Sequence, residues 1–385
     1  MRLLYLSADP GIPVLGHKGA SIHLRELASA LAPLGISVTI ASPRVEPEGD
    51  ELEAPVALAR ISPVIPGAHS DPSSVRQAMA RQSAEVTRLA RRLRADAIYE
   101  RFSLFSDAGV HAAARLGLPH VLEMNAPLRT EAIRFRTLPY PDFAAAVEDV
   151  VRARTQRILV VSGPLAALLA REGVPAEKVE VVPNGVAAAR FVPRTPTNGE
   201  TFTVGFAGSL KPWHGVEVLL QAAETALAEE PRLRFEVVGD GPLATAVAKA
   251  SSPGSRFVWH GALPHAAVIE LMRGWQAGVA PYVPVPDFYF SPLKVLEYMA
   301  VALCPVASDL GDISALLGNG TRGLLVRAGE AGALADAIVT LARDASRAGR
   351  LGDAARAHVL GEHSWRRNAE RVLAALTSAV GERAA

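Results

Sequence analysis

Cysteine, net charge and long apolar runs are all scarce in this sequence. Its single cysteine, Cys304, excludes an intramolecular disulfide and a cysteine-rich metal site, and its place in the apolar run Leu303–Ala307 predicts a small core residue. With a net charge of +1 and 21% charged residues, the composition is not that of a nucleic-acid-binding or disordered protein. No apolar stretch reaches membrane-spanning length. These absences indicate an ordinary globular protein.

The beginning of the chain does not have the pattern of an export signal. Met1-Arg2 is followed at once by a short strand-like run that ends at Asp9-Pro10, which is too brief for a signal peptide. We therefore expect a cytoplasmic protein.

Basic residues are clustered in two places, at 91–94 and at 152–157. Each cluster lies among acidic or apolar residues at helical spacing, which favours a solvated helix face over a contact with an anionic membrane. A peripheral membrane contact remains the open alternative. The histidines and carboxylates do not have the spacing of metal ligands, so no metal site is predicted.

Strand-like and helix-like segments alternate from the first residues onward. The apolar run Leu3–Ser7 leads into a glycine-rich loop, then into a helix that ends at Gly35, and then into the strand Ile36–Ala41. This is a βαβ unit, which implies a parallel sheet with ligands at the carboxyl ends of its strands. The alternation continues, with the next helix predicted at Ser83–Arg94, as far as the strand Val179–Val182.

The same alternation begins again in the second half. Residues 192–200 are a linker by composition, and the strand Thr203–Ala207 follows them. We predict an α/β protein of two Rossmann-like, doubly wound domains: residues 1–190, completed by a helix within 365–385, and residues 200–364. An interdomain cleft is then the default ligand site.

The segment Ser-Pro-Leu-Lys-Val-Leu-Glu-Tyr-Met-Ala, residues 291–300, has the clearest chemical pattern. Ser291 is expected to cap a helix, with Pro292 in its first position. Lys294 then lies in the first turn, beside unpaired N–H groups and the positive end of the helix dipole. Such a helix start has the features of an anion-binding site.

The apolar residues of this helix predict its buried side. Leu293, Leu296 and Ala300 form a stripe, with Lys294 well away from it and Glu297 at its border. A half-buried carboxylate needs hydroxyl or cation partners. An anion site for phosphates next to a carboxylate that binds hydroxyls would suit a nucleotide-sugar, which contains both groups. A surface helix in which Lys294 and Glu297 simply pair remains the alternative.

Four further motifs accompany this helix. They are Val182-Pro183-Asn184-Gly185-Val186, Phe206–Gly215, Val238-Gly239-Asp240-Gly241-Pro242 and Gly323-Leu324-Leu325-Val326. In this order and spacing, the motifs resemble those of the GT-B glycosyltransferases, in particular the retaining enzymes of glycosyltransferase family 4. The resemblance covers nearly the full length, and the Ser-Pro-Leu-Lys and Trp-His-Gly variants look like one branch of the family.

The resemblance implies roles for the helix and the chain end. The helix that starts with Ser291, Pro292 and Leu293 would place its amides on the donor diphosphate, and Glu297 would hold the ribose hydroxyls of the nucleotide. The final helix, Trp365–Val380, would cross back onto the first domain.

Glycines in the loops after strands would belong to the same donor site. Gly16 and Gly19 would let the backbone approach the donor phosphates from the first domain, and Gly239 is the corresponding glycine of the second domain. One departure concerns the sugar: relatives carry two glutamates eight apart, but Tyr289 stands eight residues before Glu297. Asp287 is the alternative contact to the sugar hydroxyls.

The cations of the diphosphate site also depart from the family pattern. Ser209 stands where relatives have an arginine, and His214 stands where they have a lysine. The positive partners of the diphosphate must then come from Lys211, His214 and Lys294. Lys294 is the first choice because it lies in the first turn of the helix that begins at residues 291–293 and would hold the diphosphate.

In the first domain, Asn125 takes the place of a histidine that relatives commonly have near the sugar and the acceptor. Asn125 can donate and accept hydrogen bonds but cannot titrate. For Glu123, a pair with Arg129 or Arg101 at the strand end is favoured over a catalytic role. The acceptor is expected on first-domain loops, which carry Lys18, His23, Asn125, Arg129 and Glu131.

Together these features predict a retaining glycosyltransferase that uses a nucleotide-diphosphate sugar, without a metal or other cofactor. The expected catalytic residues are Lys294, Glu297 and Asn125. A UDP-sugar is the commonest donor in the family, with GDP and TDP left open, and the acceptor is a sugar, a lipid-linked molecule or a natural product. A nucleotide-sugar epimerase, a phosphorylase and a non-catalytic sugar-nucleotide-binding protein remain alternatives, as do a monomer and a homodimer.

A nicotinamide oxidoreductase is disfavoured. The loop Gly11–Gly19 does not have the pattern G-x-G-x-x-G, and Ser42-Pro43-Arg44 replaces the acidic residue expected at the end of the second strand.

Overall fold

The computed structural model describes residues 1–16, 19–46, 55–67, 71–194, 200–252, 254–286 and 288–384. These residues form two compact units. The first unit comprises Met1–Asn184 together with Trp365–Ala385, and the second comprises Gly185–Ser364. Within the described ranges, every pairing between neighbouring strands of the two sheets is parallel.

The first unit contains a seven-stranded sheet in its described residues, with the strand order β3-β2-β1-β4-β5-β6-β7. Its strands are β1 (Arg2–Ser7), β2 (Ser37–Ser42), β3 (Ala57–Arg60), β4 (Ala97–Arg101), β5 (His120–Met124), β6 (Arg157–Val160) and β7 (Val179–Val181). Its helices up to this point are α1 (Gly19–Leu31), α2 (Pro72–Leu93), α3 (Ala108–Leu116), α4 (Leu128–Phe135), α5 (Pro141–Arg154) and α6 (Gly163–Arg171).

The second unit repeats this plan with six strands in its described residues, in the order β10-β9-β8-β11-β12-β13. They are β8 (Phe202–Ala207), β9 (Leu233–Val238), β10 (Phe257–Trp259), β11 (Ala277–Ala280), β12 (Cys304–Ser308) and β13 (Leu324–Val326). The helices are α7 (Val216–Glu229), α8 (Ala244–Ala250), α9 (His265–Met272), α10 (Leu293–Ala300), α11 (Ile313–Leu316), α12 (Ala331–Arg343) and α13 (Ala345–Glu362). The last helix, α14 (Trp365–Ala384), belongs to the first unit and packs against α1.

Each sheet has one position where the strand order reverses. In the first sheet it lies between β1 and β4, and in the second between β8 and β11. Loops that leave two such strands diverge to opposite faces and open a crevice beyond the carboxyl ends, which is where ligands of open α/β sheets bind. The central strands are buried along their whole length, as parallel strands covered by helices on both faces must be.

The boundary between the units differs from the prediction. Residues 185–190, assigned to the first domain from the sequence, lie in the second unit. The Val186 N–H donates to the carbonyl of His363 at 2.8 Å, and the Arg356 guanidinium donates to the carbonyl of Phe191 at 2.8 Å. These bonds hold the segment against the end of α13. The linker residues 195–199 lie outside the described part of the chain.

The sequence pattern did not predict several elements, and it placed the ends of others incorrectly. Helix α2 begins at Pro72, well before the predicted Ser83, because the Asp71 carboxylate caps it by accepting from the N–H groups of Ser73 and Ser74. Strand β3 lies at a sheet edge and is largely exposed, so it lacks a clear apolar pattern. The helices α4, α9 and α11 were also not predicted. Each has eight residues or fewer.

Cys304 is fully buried in β12, as predicted. Across the described ranges, no helix combines the length and apolar character needed to cross a membrane. No group of three metal-ligating side chains occurs among those same residues.

Candidate functional site

Helix α10 starts one residue later than the sequence predicts. Pro292 occupies the cap position before its first turn, and the ψ of +81° at Pro292 lies outside the helical range. A proline has no side-chain acceptor, so no side chain caps the helix from that position. The Ser291 carbonyl accepts from the Leu293 N–H at 2.9 Å. The prediction that Ser291 is the cap residue is therefore wrong.

The side chain of Lys294 is buried, which contradicts the prediction that it lies away from the buried stripe. Only 8% of the residue is exposed. Helix α10 is covered on most of its circumference, and Lys294 shares a face with Tyr298, one turn later, which points to the sheet. The Lys294 Nζ lies 4.1 Å from the ring centroid of Phe206 and 5.1 Å from that of Tyr282.

No hydrogen-bond partner reaches the Nζ of Lys294 within the described part of the chain. Burial lowers the pKa of Lys294 to about 7, against the opposing effect of the Glu297 carboxylate. Below neutral pH the group therefore carries its charge beside the aromatic faces of Phe206 and Tyr282. A buried, unpaired cation in a crevice marks a site for an anion.

Tyr298 fixes α10 at the point where the second sheet reverses its strand order. Its hydroxyl accepts from the Ala207 N–H at 2.9 Å and donates to the Val279 carbonyl at 3.3 Å, so it joins β8 to β11. A Cβ on Gly278 would lie 2.5 Å from the Tyr298 ring, which explains the glycine there. The helix start is thereby placed at the crevice that the topology opens.

The loops after β8 and β9 approach each other closely beside Lys294. Gly239 has a φ of +135°, and a Cβ there would lie 1.9 Å from the carbonyl oxygen of Gly208. A Cβ on Gly208, with a φ of +143°, would lie 3.0 Å from the Lys294 Nζ. The indole N–H of Trp259 donates to the Gly239 carbonyl at 2.9 Å. Both glycines are required by this packing.

His214 is placed beside Lys294 but is not a cation. Its Nδ1 lies 2.6 Å from the Ser209 carbonyl oxygen, to which it donates, and 3.2 Å from the Ser209 Oγ. Burial and the neighbouring Lys294 lower the pKa of His214 to about 3, so the ring is neutral near pH 7. Of the three residues from which the positive partners were to be chosen, His214 therefore carries no charge near pH 7 in the free protein. Lys211 is exposed, with its Nζ 5.0 Å from the Trp213 ring centroid.

Glu297 is partly shielded, as predicted, with 16% of its side chain exposed. Its Oε1 lies 2.9 Å from the Nε2 of His265, a residue of α9 that the sequence did not single out. The pair is 32 residues apart, so no local spacing indicates it. Tyr289 is buried with its ring centroid 4.5 Å from that of Phe290. Asp287 lies outside the described residues.

In the first unit, Glu123 is a buried carboxylate surrounded by donors. The hydroxyls of Tyr5 and Tyr99 donate to its Oε2 at 3.1 and 2.7 Å, and the Arg101 guanidinium donates to its Oε1 at 2.7 Å. Burial by itself would raise the pKa of Glu123, but the charges of His23 and Arg101 and the hydroxyl of Tyr99 outweigh it and lower the pKa to about 2. The predicted pair with Arg101 is present, and the carboxylate is ionised at any working pH.

Asn125 is oriented by this carboxylate. Its Nδ2 donates to the Glu123 Oε1 at 2.6 Å. An ionised carboxylate only accepts, so the amide nitrogen of Asn125 must face it and the Oδ1 faces the other way. Asn125 is partly exposed and therefore presents a hydrogen-bond acceptor to its surroundings.

The other first-domain candidates are spread over several contacts. Arg129 does not pair with Glu123. It donates to the Glu148 carboxylate at 3.0 Å. The buried Arg25 guanidinium, which sequence reasoning missed, donates to the carbonyls of Val14 and Gly16 at 2.9 and 2.6 Å and so fixes the loop before α1. Of the remaining candidates, the His23 Nε2 lies 3.0 Å from the Glu123 carboxylate, and the Glu131 carboxylate lies 3.8 Å from the Arg136 guanidinium. Gly19 is the first residue of α1. Lys18 lies outside the described residues.

Two profiles of known families match the chain one after the other. Residues 17–190 match the family described as Glycosyltransferase Family 4, and residues 201–344 match the family described as Glycosyl transferases group 1. Among curated proteins, the D-inositol 3-phosphate glycosyltransferase of Nocardia farcinica is 28% identical in a match that covers 97% of this chain and 87% of that protein. Its namesake from Pseudarthrobacter chlorophenolicus is 25% identical, with 94% and 90% covered.

Solved structures share the whole fold. The sucrose-phosphate synthase of Thermosynechococcus elongatus matches with a TM-score of 0.76 over 99% of both chains, at 19% identity. The HepE protein of Anabaena, in complex with UDP and glucose, matches with a TM-score of 0.72 over 98% of this chain and all of that one, at 18% identity. The two parallel-sheet, Rossmann-like units are those of the GT-B fold.

Proposed function

This chain belongs to the group 1 and family 4 glycosyltransferases, and we propose that it moves a sugar from a nucleotide-diphosphate sugar to a hydroxyl acceptor with retention of configuration. The donor proposed is a UDP-sugar, and no metal ion takes part.

The observation that carries this proposal is the unpaired ammonium of Lys294 in the first turn of α10. A departing nucleoside diphosphate gains negative charge as its bond to the sugar breaks. The positive end of a helix and a buried cation at that position stabilise this charge without reorganising during the reaction. The same two groups supply the positive charge that a divalent ion provides elsewhere, which is the reason for proposing a metal-independent reaction.

Glu297 is proposed to bind the ribose hydroxyls. Its Oε1 is already engaged by His265, which sets the direction of the carboxylate. An orientation fixed by a second residue favours a hydrogen bond to a hydroxyl that occupies one defined position. Lys294 and Glu297 lie three residues apart on α10, so one short helix would recognise both the phosphate and the sugar of the nucleotide.

The base of the donor is proposed from the neighbours. The Anabaena HepE structures contain UDP, UDP with glucose, and UDP-glucose. The acceptor is proposed to be a molecule with several hydroxyls. The curated relatives are named for D-inositol 3-phosphate, and a structural neighbour is named for sucrose phosphate. An acceptor with several hydroxyls is consistent with the Asn125 Oδ1, which accepts but cannot remove a proton.

The reaction proposed needs no protein nucleophile. The bond between the anomeric carbon and the diphosphate oxygen breaks, the acceptor oxygen forms its bond on the same face, and the acceptor proton passes to the departing diphosphate. Lys294 stabilises the diphosphate in this scheme, and the Asn125 Oδ1 accepts a hydrogen bond from a second, non-reacting hydroxyl of the acceptor.

Thermal stabilisation by UDP, GDP, TDP, ADP and NAD, on the wild type and on Lys294→Ala, tests the donor site. A ligand at ~100 times its Kd stabilises by about 2.7 kcal/mol, which is easily measured. We expect UDP to raise the Tm of the wild type and to have much less effect on the variant. A shift by NAD alone, or by none of the five, would remove the main support for the proposal.

Slow hydrolysis of UDP-glucose, followed by proton NMR, tests the stereochemistry without a known acceptor. Retention predicts that α-glucose appears first and only later equilibrates with the β-anomer. First appearance of the β-anomer would contradict a retaining reaction.

A further inference from the structure

The motif at residues 182–186 has no part in the proposed reaction, and it lies where the chain leaves the first unit. Asn184 is the last residue of that unit before the chain passes into the second, and Trp365 is the first residue after the chain returns. The Asn368 side chain of α14 donates to the Pro183 carbonyl at 2.6 Å. Because α14 also begins at Trp365, the exit and the return of the chain are held by the same helix.

His23, on α1, contacts both of these places. Its Nδ1 lies 2.7 Å from the Asn184 Oδ1, and its ring centroid lies 4.9 Å from that of Trp365, with the two rings nearly perpendicular. Only 6% of His23 is exposed. The Oδ1 of an amide only accepts, so the Nδ1 of His23 carries a hydrogen and donates it. The ring therefore ties the exit and the return of the chain to α1.

The other ring nitrogen of His23 faces the Glu123 carboxylate. The Nε2 lies 3.0 Å from the Glu123 Oε2 in an ion pair, at an angle outside that of a hydrogen bond. An ionised carboxylate only accepts, so the Nε2 of His23 carries a hydrogen as well. The ring is an imidazolium in this arrangement, and its attraction to Glu123 depends on its charge. Both side chains are buried, so water and salt screen the pair only weakly.

The two oxygens of Glu123 have different partners. The Oε2 faces His23 and accepts from two buried tyrosine hydroxyls, at 3.1 and 2.7 Å. The Oε1 accepts from the Arg101 guanidinium and from the Asn125 amide. With the Oε2 held in this way, the plane of the carboxylate is fixed, and the Oε1 sets the direction of the Asn125 side chain. Since both nitrogens of His23 face protein partners, His23 acts on a substrate through Glu123 and not by its own contact.

We propose that His23 is a positioning residue for the acceptor: its imidazolium fixes the Glu123 carboxylate, and through it the Asn125 amide, against the segment at which the chain leaves the first unit. This inference rests on the proposed function in one respect, namely that the Asn125 Oδ1 accepts from an acceptor hydroxyl. A neutral side chain at position 23 would remove the cation beside the Oε2 and leave Arg101 beside the Oε1. The carboxylate would then turn toward Arg101, and the Asn125 amide would lose its fixed direction.

Nitrogen NMR of the full chain, made with isotope-labelled histidine and asparagine, tests the positioning without a substrate. At neutral pH we expect both ring nitrogens of His23 to be protonated, and the spectrum of His23→Gln identifies their signals. The side-chain amide protons of Asn125, identified with Asn125→Ala, should be shifted from those of an exposed asparagine, because the Glu123 carboxylate holds one of them. In His23→Gln and in Asn184→Ala, the Asn125 signals should move toward the exposed values.

Kinetics tests the consequence for the acceptor, with UDP-glucose as the donor and D-inositol 3-phosphate as the probe. His23→Gln is expected to raise the KM for this probe about tenfold, as the loss of one hydrogen bond does. The KM for UDP-glucose and its slow hydrolysis should stay within about twofold of the wild type. In the Asn125→Ala background, His23→Gln should change the KM for the probe by less than about twofold, because the two residues act as one unit.

His120→Gln is the matched control. His120 is a buried histidine of the same unit, and its Nε2 lies 2.8 Å from the Glu100 carboxylate. It belongs to β5, where His120 and Glu123 are three residues apart and therefore point to opposite faces of the sheet. The control should lower the Tm but keep the KM for the probe within about twofold of the wild type. Circular dichroism and the Tm establish that each variant is folded.

Several results would overturn the proposal. They are a His23 ring with a single protonated nitrogen, Asn125 amide signals that do not change in His23→Gln, and losses that multiply in the double variant. An equal rise of the KM in His120→Gln would reduce the effect to the loss of a core histidine and would overturn it as well. If the wild type neither hydrolyses UDP-glucose nor transfers glucose, the proposed function fails, and the NMR signals still decide whether His23 positions Asn125.

Discussion

The Nζ of Lys294 lies 4.1 Å from the ring centroid of Phe206, and no hydrogen-bond acceptor among the described residues reaches it. An aromatic face attracts a cation by roughly 0.5–2 kcal/mol, which is much less than the cost of removing an ammonium from water. Burial accordingly lowers the pKa of Lys294 to about 7. In the free protein the charge of Lys294 therefore depends on pH near 7. A bound anion would raise the pKa of Lys294 and keep the ammonium charged.

Donor affinity is predicted to depend on pH through Lys294. In the free protein the ammonium loses its proton as the pH rises through about 7, whereas a bound diphosphate would raise that pKa again. The association constant for UDP-glucose should be constant below pH 6 and fall by up to about tenfold per unit above pH 7. The charged groups nearby are Glu297 and Lys211, and His214 is neutral in this range. Calorimetry from pH 5.5 to 9 measures the effect.

The matched variant is Lys294→Met, which keeps the length of the side chain and removes its titration. Its weaker affinity for UDP-glucose should not change across the same pH range. A wild-type affinity that stays flat to pH 9 would show that Lys294 does not contact the diphosphate.

Lys294→Met is also expected to stabilise the protein without ligand. The unfolded chain binds a proton at Lys294 up to about pH 10.5, but the folded chain only up to about 7, so wild-type stability rises with pH between these values. Removing the buried charge should stabilise the second unit by about 1–3 kcal/mol at pH 6, and less at pH 10. Urea unfolding at both pH values measures this, and a less stable variant at pH 6 would contradict it.

Glu297→Gln is predicted to weaken nucleotide binding through the ribose. A hydrogen bond to a carboxylate contributes about 1.5–3 kcal/mol, so UDP should bind roughly 10- to 150-fold more weakly. The wild type should also discriminate against 2′-deoxy- or 3′-deoxy-UDP, and the variant should not. Glu270→Gln, an exposed residue of α9, is the control. Equal discrimination in wild type and variant would place the ribose elsewhere.

Glu123→Gln is predicted to remove an acid-sensitive contribution to the stability of the first unit. The folded pKa of Glu123 is about 2, below its ordinary value of 4.5, so the stabilisation is present above 4.5 and is lost as the pH falls toward 2. Over this pH range the free energy of unfolding of the first unit should fall by about 3 kcal/mol, because Glu123 is fully buried. Hydrogen exchange of the β5 amides from pH 5 to 3 should show this slope in the wild type and not in the variant. The half-buried Glu180 of β7, which pairs with Arg371, is the control, and Glu180→Gln should keep the slope.

Activity is predicted to survive a chelator. The positive charge on the diphosphate would come from Lys294 and the start of α10, so EDTA should leave turnover of UDP-glucose within about twofold of its starting value. Complete loss, with recovery on adding one divalent ion, would contradict the metal-independent reaction.

The architecture was readable from the sequence because its determinants are local. Two runs of alternating strands and helices predict two parallel sheets, and both are present. The partial burial of Glu297 and the ion pair of Glu123 with Arg101 were also predicted.

The ends of helices were harder to predict than their existence. The expected cap at Ser291 was wrong because Pro292 adopts a non-helical ψ and takes the cap position itself. The start of α2 was missed because its cap, Asp71, lies well before Ser83, where the apolar spacing of the helix becomes clear. Both errors concern the conformation of single residues, on which an apolar period carries no information.

The burial of Lys294 could not be predicted from its own helix. An apolar stripe shows which side of a helix is buried most, but it does not show that a second side is covered as well. That cover comes from Phe206 in β8 and from Tyr282, which follows β11. These strands are neighbours in the sheet, where Ala277 pairs with Val204, although they lie far apart in the chain.

The sequence by itself therefore determined the repeated fold, the order of its motifs and the helix that holds the candidate donor site. Tertiary structure alone decided which groups meet there: Lys294 with Phe206, Glu297 with His265, and Asn125 with Glu123. The physical reason is that periodicity and turn chemistry act over a few residues. Desolvation, pKa and hydrogen-bond direction instead depend on side chains that the strand order brings together from distant parts of the chain.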